Sequence, residues 1–420
     1  MNGISVIIEF AMGNEFTREL FENELLDKCK EKNIEIANLW CFMDIVVMPH
    51  DFPISYTVNE YIVELVARKG TVINEIYSTF QQIILDSEWV DRYIKLKNMS
   101  YKEVIICNST EENKNKKIFV TGVTGQLGHD VMNRLYELGY EPIGSGYSEE
   151  YVGVQEDSYV SRLPYISLDI TNSSNVKTII SEINPYAVIH CAAWNAVDSA
   201  EDKAKKNWVK ATNEDGTRYI AEVCKQIGAK MVYISTDYVF DGQGEEPWNA
   251  DSAGGNALNV YGQTKLGGEL AVSEILEKYF IVRTSWAYGI NGNNFVKTML
   301  NIGEKSDTVR VIDDQIGTPT YMKDLARLVV EMISTEKYGH YNATNEGGYI
   351  SWYEFAVEIF KQSGLAINVL PVSTKDYGGN KAIRPYNSRL DKSKLVENGF
   401  EPLPNWKDAL SRYLKELREM

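Results

Sequence analysis

The stretch KKIFVTGVTGQLGHDVMNRLYELGY, Lys116 to Tyr140, decides the fold of this chain. It opens on Ile118, Phe119 and Val120, a short apolar run with the composition of a buried strand. A tight turn follows, with glycines at 122, 125 and 128, and then a helical pattern carrying Val131, Leu135 and Leu138, closed by Gly139. In a dinucleotide fold each glycine has its own use. Gly122 lets the chain turn sharply, Gly125 lets a pyrophosphate approach the backbone, and Gly128 lets the helix pack closely on the sheet. The helix N-terminus offers N–H groups and a positive dipole end to the phosphates. The glycine spacing alone is weak; between a strand and a helix it predicts nucleotide binding.

Downstream, Glu141–Gly146 reads as the second strand. NAD-selective sites place an acidic residue near its end to bind the ribose 2′-hydroxyl. Ser145 and Gly146 stand there, with no carboxylate before Glu149, so nothing repels a 2′-phosphate. The reading leans to NADPH, with NADH as the alternative. Residues 147–164 read as an inserted excursion. Tyr165–Thr171 is the third strand, with Asp169 placed to meet the adenine, and a helix from Ser174 to Ile183 follows. Pro185–Asp198 is a buried strand running into Ala192 and Ala193, small enough for a cofactor to lie against the backbone. A helix over Asn213–Ile227 leads to a strand within Ala229–Gly242. This alternation predicts an α/β, doubly wound parallel sheet, with ligands beyond the carboxyl ends of its strands.

Upstream, residues 1–110 read as a separate small α/β domain. Strands are expected at Ile4–Phe10 and Cys41–Met48, and helices at Glu15–Lys32, Val58–Arg68 and Ile73–Lys97. It carries no motif; Asp44, His50 and Asp51 read as polar residues of a strand end and turn. Residues 111–116 are the linker, within the polar run Asn108–Lys117. The net charge of −16 argues against a sequence-independent grip on nucleic acid or anionic membranes. Five scattered cysteines without a CxxC pair suit free thiols in a reducing cytoplasm, and four histidines without ligand spacing suggest no metal site. No apolar run reaches the ~18 residues of a membrane span, so a cytoplasmic protein is expected.

Two segments carry the chemistry. Ser235, Thr236, Asp237 and Tyr238 lie just past a strand end, and Tyr261 and Lys265 lie four residues apart, on one face of a helix. Hydride transfer to a ketone leaves negative charge on oxygen, so an acid must stand beside it. A tyrosine hydroxyl has a pKa of ~10, and a nearby ammonium favours its phenolate. Thr236 can orient the same oxygen. The pair alone means little in a chain with 26 tyrosines; with the glycine turn and the STD loop it is strong evidence. Trp286, at a strand end, can stack on a base or sugar face, and Arg384 and Arg389 lie in a polar loop suited to a diphosphate.

Through TGVTGQLG, STDYVFDG, NVYGQTKLGGE, RTSWAYG, NNFVKTML, DDQIGTPT and RPYNSRL, positions 117–420 resemble the dTDP-4-dehydrorhamnose reductases of the extended short-chain dehydrogenase/reductase superfamily. The resemblance implies a Rossmann-type sheet with a small C-terminal substrate cap, mainly after residue 286. It implies a catalytic set of Thr236, Tyr261 and Lys265, and a cofactor site lined by Gln126, Leu127, Asp169, Ile170, Ala192, Ala193, Tyr261 and Lys265, beside the three glycines and Ser145. Asp237 and Trp286, with Thr236, Asn294 and Arg389, would contact the sugar nucleotide. The implied activity is NADPH-dependent reduction of the C4 ketone of dTDP-4-dehydro-L-rhamnose. The related 4,6-dehydratases carry an Asp-Glu pair after the Thr; Tyr238 in the second position removes one member of that acid/base pair. Two alternatives stand: a non-catalytic dinucleotide-binding regulatory subunit, as the β subunit of methionine adenosyltransferase is, or a reductase of another 4-keto sugar nucleotide. Expected partners are the sugar nucleotide, a second copy in a homodimer, and a protein docked by residues 1–110. Mg²⁺, used by parts of the family, is not indicated by the sequence.

Overall fold

The computed structural model describes residues 113, 115–154, 160–379 and 381–419, and before them the backbone of four strands. The chain divides into two units, Met1–Lys114 and Asn115–Met420. In the first, Ile4–Gly13, Glu35–Val46, Tyr56–Ala67 and Glu103–Ile105 form an antiparallel sheet in which the third strand lies between the first two. The expected strand at Ile4–Phe10 falls on this sheet, as does the expected strand from Cys41 as far as Val46, where the described residues end. The helix expected at Val58–Arg68 does not form; that segment is a strand, paired from Val58 with Gly13 to Ala67 with Ile4. Its Val58, Tyr61, Ile62, Val63 and Val66 favour a pleated strand, and their helical period was a coincidence of spacing. The expected helices Glu15–Lys32 and Ile73–Lys97, and His50 and Asp51, lie outside the described residues.

The second unit is built on seven parallel strands: β1 (Lys117–Thr121), β2 (Glu141–Gly146), β3 (Tyr165–Ser167), β4 (Ala187–His190), β5 (Lys230–Thr236), β6 (Tyr279–Thr284) and β7 (Gly339–Asn342). Their spatial order is β3-β2-β1-β4-β5-β6-β7. The order reverses between β1 and β4, so a crevice opens beyond the carboxyl ends of those two strands. Successive side chains point to opposite faces. Ile118, Val120, Ile189, Val232 and Val282 meet α1 (Gln126–Glu137) and α6 (Met322–Ile333) on one side. Phe119, Val188, Met231, Tyr233 and Ile281 meet α2 (Ser173–Ile183), α3 (Gly216–Ile227) and α4 (Val260–Ile275) on the other. Each fully buried Val, Ile or Phe contributes about 1.5–3 kcal/mol, against about 0–1 for an exposed ion pair, so the two apolar faces fix the register.

Two expected boundaries move. β3 ends at Ser167 rather than Thr171, because Asp169 Oδ1 accepts from Thr171 N (2.9 Å) and Thr171 Oγ1 (2.7 Å), folding the chain into a turn. The helix expected from Asn213 is preceded by Lys206–Lys210 and a π-helical turn at Ala211–Asp215, with α3 following directly. After β6 comes the cap: α5 (Phe295–Gly303), α7 (Trp352–Ser363) and α8 (Trp406–Glu419) share an aromatic core of Tyr288, Phe355, Trp406 and Tyr413. α7 opens with the expected capping box of Ser351 and Glu354. Among the described residues no helix is long and apolar enough to cross a membrane.

Candidate active site

The glycine turn sits at the switch point. Gly122 has φ +72°, and a Cβ there would lie 2.6 Å from Ala192 N. A Cβ on Gly128 would lie 2.4 Å from the Gly122 carbonyl oxygen. Gly122 and Gly128 are therefore demanded by the protein's own packing. Gly125 differs: its Cβ would meet only the Gly122 oxygen, at 3.2 Å. The chain's own packing constrains this glycine less than the other two, and its bare backbone leaves room for a diphosphate. Gly125 begins α1, whose N-terminus has no side-chain cap among the described residues and no acidic residue in its first turn. That end suits an anion. These features fit the dinucleotide the sequence calls for.

Its other expected neighbours divide. Leu127 and Ile170 are buried, and Gln126 faces the later chain through Asn293 O (3.4 Å) and Asn294 (3.3 Å). Ala192 N donates to Thr121 Oγ1 at 3.2 Å, and Ala192 and Ala193 lie half-buried just past β4. Ser145 lies near the end of β2, as expected. Its hydroxyl is buried and turned toward Val120 O (3.4 Å), while its carbonyl accepts from Gly122 N (2.8 Å) and Val123 N. Its part is to hold the turn; the side chains at the β2 tip are those beyond it.

Thr236 closes β5, and α4 begins at Asn259, whose Oδ1 caps Gly262 N at 2.8 Å. A Cβ on Gly262 would lie 2.2 Å from Tyr238 O, so the helix presses directly on the STD loop. This brings Thr236, Tyr261 and Lys265 together. Burial raises the Tyr261 phenol, and a hydrogen bond with Thr236 opposes the rise. Lys265 is buried and donates to Ile234 O at 2.6 Å, with its ammonium 4.1 Å from the Tyr233 ring centroid. Burial pulls its pKa down to about 7, against the pull of Glu269. The expected depression of the phenol by this ammonium is not found: burial and Asp237 raise it, and the opposing pull comes from Thr236. Asp237 accepts from Thr236 Oγ1 (2.9 Å), and burial pushes its carboxyl up to about 6 against hydrogen bonds from Ser388 and Thr236. Tyr238 packs edge-on against Tyr261, rings 5.7 Å apart.

Of the expected substrate contacts, Trp286 takes a left-handed backbone conformation, φ 49°, costly for a tryptophan. Its ring stacks on Trp352 at 3.7 Å. Asn294 has other partners. It caps α5 through Lys297 N (3.0 Å), and its amide donates to Gly289 O and Tyr413 Oη, both at 2.9 Å. Arg384, expected to pair with Arg389 on a diphosphate, instead grips Asp198 with both terminal nitrogens (3.2 and 2.8 Å). Arg389 bonds Asn387 Oδ1 (3.0 Å) and makes no ion pair among the described residues, so it is the cation left in that loop.

Residues 116–419 match the family described as RmlD substrate binding domain. The chain belongs to this family. It is 38% identical over 298 residues to a dTDP-4-dehydrorhamnose reductase of Streptomyces griseus, covering 70% of this chain and 91% of that one. It is 37% identical over 300 residues to the spore coat polysaccharide biosynthesis protein SpsK of Bacillus subtilis, covering 71% and 97%. Among solved structures, a dTDP-4-dehydrorhamnose reductase from Bacillus anthracis in complex with NADP matches with a TM-score of 0.64 and 40% identity, covering 72% of this chain and 99% of that one.

Two parts of the candidate site of this RmlD-family chain escaped the sequence reading. Trp352, the stacking partner of Trp286, sits in the first turn of α7; its only signal was an aromatic residue right after a capping serine. Asn213 sits buried in the π-turn, bonding Trp194 N (2.7 Å) and Thr264 Oγ1 (3.2 Å), and so ties the loop after β4 to the catalytic helix. A π-turn leaves no periodicity to find.

Proposed function

We propose that the chain is an NADPH-dependent reductase of the C4 ketone of dTDP-4-dehydro-L-rhamnose, yielding dTDP-L-rhamnose for nucleotide-sugar and cell-surface polysaccharide biosynthesis. The coarser reading, an NAD(P)-dependent oxidoreductase of nucleotide-sugar metabolism, rests on family membership. The observation that carries the finer one is the convergence of Thr236, Tyr261 and Lys265 at the carboxyl edge of the sheet, beside a turn fitted to a diphosphate.

NADPH held there supplies the hydride for the ketone carbon. The first turn of α1, from Gln126, would hold the diphosphate through its free backbone N–H groups, with Gly125 leaving room for it to approach. Ala192 and Ala193 leave room for the dinucleotide along the sheet edge. With substrate bound, the Thr236 hydroxyl would turn from Asp237 Oδ1 to the ketone oxygen, and Tyr261 gives that oxygen its proton from Oη as the charge develops. A phenol raised by burial holds its proton until an oxyanion forms beside it. Lys265 fixes the floor of the site through Ile234 O and supplies positive charge beneath the reaction. Tyr238 lines the pocket without a second carboxyl group, which leaves elimination of water without its base. Arg389 is the candidate for the nucleotide diphosphate, and Trp286 with Trp352 for its base or sugar.

The test is oxidation of NADPH, followed by its loss of absorbance, with dTDP-4-dehydro-L-rhamnose as substrate and NADH in parallel. Turnover with dTDP-L-rhamnose as product supports the reading. Dinucleotide binding without turnover on this sugar overturns the substrate assignment.

A further inference from the structure

The excursion after β2 has no part in the chemistry proposed above. Its described beginning, residues 147–154, is tied down at every turn. Tyr165 Oη donates to Ser148 O at 2.8 Å, and Ser167 Oγ to Tyr147 O at 3.5 Å. The Tyr151 hydroxyl meets His129 Nδ1, on α1, at 2.7 Å. Because Asn133 Nδ2 donates to His129 Nε2 (3.2 Å), the ring proton sits on Nδ1, which donates to Tyr151. Tyr151 in turn donates to Val154 O at 3.2 Å.

Asn291, buried in the segment after β6, joins this excursion to the glycine turn. Its Oδ1 accepts from Val154 N (3.2 Å), and its Nδ2 donates to Thr124 O (3.1 Å) and reaches Tyr151 Oη (3.5 Å). Thr124 stands between Gly122 and Gly125, in the turn that receives the diphosphate. Packing at the joint is close: a Cβ on Gly153 would lie 2.1 Å from Tyr151 Oη and 2.5 Å from Asn291 Nδ2. Gly146, where β2 hands over to the excursion, has the Tyr165 hydroxyl 2.7 Å from its Cβ position.

We propose that residues 147–154 form a strap, pinned by Tyr151 and Asn291, that holds the glycine turn in the shape needed to bind the adenosine-diphosphate half of the dinucleotide. This rests on the dinucleotide reading above. Without the strap, Asn291, whose amide tethers Thr124 O, loses the Val154 N–H and the Tyr151 hydroxyl that fix its own orientation. Among the described residues the turn's remaining backbone ties are Gly122 and Val123 N–H on Ser145 O and Gly125 N–H on Gly122 O. A turn ordered in advance binds its ligand without first paying the entropy of ordering it. Tyr151 and Asn291 are positioning residues; neither needs to touch the ligand.

The test uses the full chain and two variants. Tyr151→Phe removes the hydroxyl at the joint, and Gly153→Ala drives a methyl group into it while leaving the turn itself unaltered. Binding of NADPH and of 2′,5′-ADP is measured by calorimetry, with dTDP as a control for the substrate side. Both variants should bind NADPH and 2′,5′-ADP about five- to tenfold more weakly, the loss expected from one or two hydrogen bonds, with dTDP affinity unchanged. In turnover, KM for NADPH should rise while kcat holds. Affinities for both adenosine ligands within about twofold of the unaltered chain in Tyr151→Phe, the milder variant, would overturn the strap, as would an equal loss of dTDP binding. An unaltered chain that binds neither NADPH nor NADH would overturn the dinucleotide reading and the strap with it.

Discussion

Tyr261 and Lys265 stand in an environment that works against both of their charged forms. Burial raises the phenol and pulls the ammonium down to about 7. A phenol that keeps its proton is a suitable donor to an oxyanion, so Tyr261→Phe should lower kcat by about 10²–10⁴-fold, with NADPH binding nearly intact. Steady-state kinetics beside a binding titration checks this; unchanged kcat would remove Tyr261 as the acid. Lys265 makes a second prediction, in pH. If its charge is the active form, it is carried below about pH 7 and lost above it. The value of kcat/KM should then fall as pH rises from about 7, toward a tenfold loss per unit. Lys265→Arg, which keeps its charge, should move that limb beyond the accessible range even if its maximum rate is lower. A wild-type profile flat from pH 6 to about 9 would contradict the depressed lysine.

At the scale of elements, the catalytic helix is fastened to the sheet by one buried ion pair. Arg283 on β6 reaches Glu269 on α4 with Nε on Oε1 (2.9 Å) and a terminal nitrogen on Oε2 (2.7 Å), and its other terminal nitrogen bonds Ala250 O and Ser252 O. Removing one partner leaves a buried charge uncompensated. Glu269→Ala should therefore cost about 3–5 kcal/mol in urea unfolding, and replacing both residues by Met should recover most of it. Glu269 also raises Lys265, so Glu269→Gln should shift the alkaline limb of activity to lower pH. None of this coupling was legible in the sequence, where Arg283 and Glu269 are two charges in two motifs. The elements themselves were legible where pattern and chemistry agreed: Ile118–Val120 with its glycines, the Ser351–Glu354 box, and Tyr261 with Lys265. Legibility failed where contacts distant in sequence decide. Asp198 claims Arg384, Trp352 covers Trp286 and Tyr413 takes the Asn294 amide, each across dozens of residues. The strand at Tyr56–Ala67 failed for a different reason, since its apolar residues satisfy either period and only a partner strand settles the choice.

For the second unit as a whole, stability should depend on pH through histidines as well as carboxylates. His190 is buried between Thr121 Oγ1 (2.7 Å) and Thr217 Oγ1 (3.0 Å), and burial, aided by Lys265, lowers it to about 3. His129, buried beside Tyr151, is lowered to about 4. Against an unfolded value of ~6.5, both bind protons in the unfolded chain before the folded one. Their contribution is complete above pH ~6.5 and is lost as pH falls toward 4 and 3, at about 3–5 kcal/mol apiece. Asp130, buried on α1, has the opposite sign. Burial raises it well above its ordinary value, so the folded form keeps a proton, and stability declines as pH rises above ~4. Asp130→Asn should therefore raise the melting temperature at pH 8 and change it little at pH 4. His190→Gln should flatten the acid limb between pH 6.5 and 4 whatever it does to stability at neutral pH, because a glutamine cannot titrate. Melting curves from pH 4 to 8 for the three proteins carry the test. An acid limb that begins only below about pH 5 in the unaltered chain, where carboxylates titrate, would mean that the two imidazoles are already protonated in the fold or open to water, against the burial of His190 between two threonine hydroxyls and of His129 between Tyr151 and Asn133.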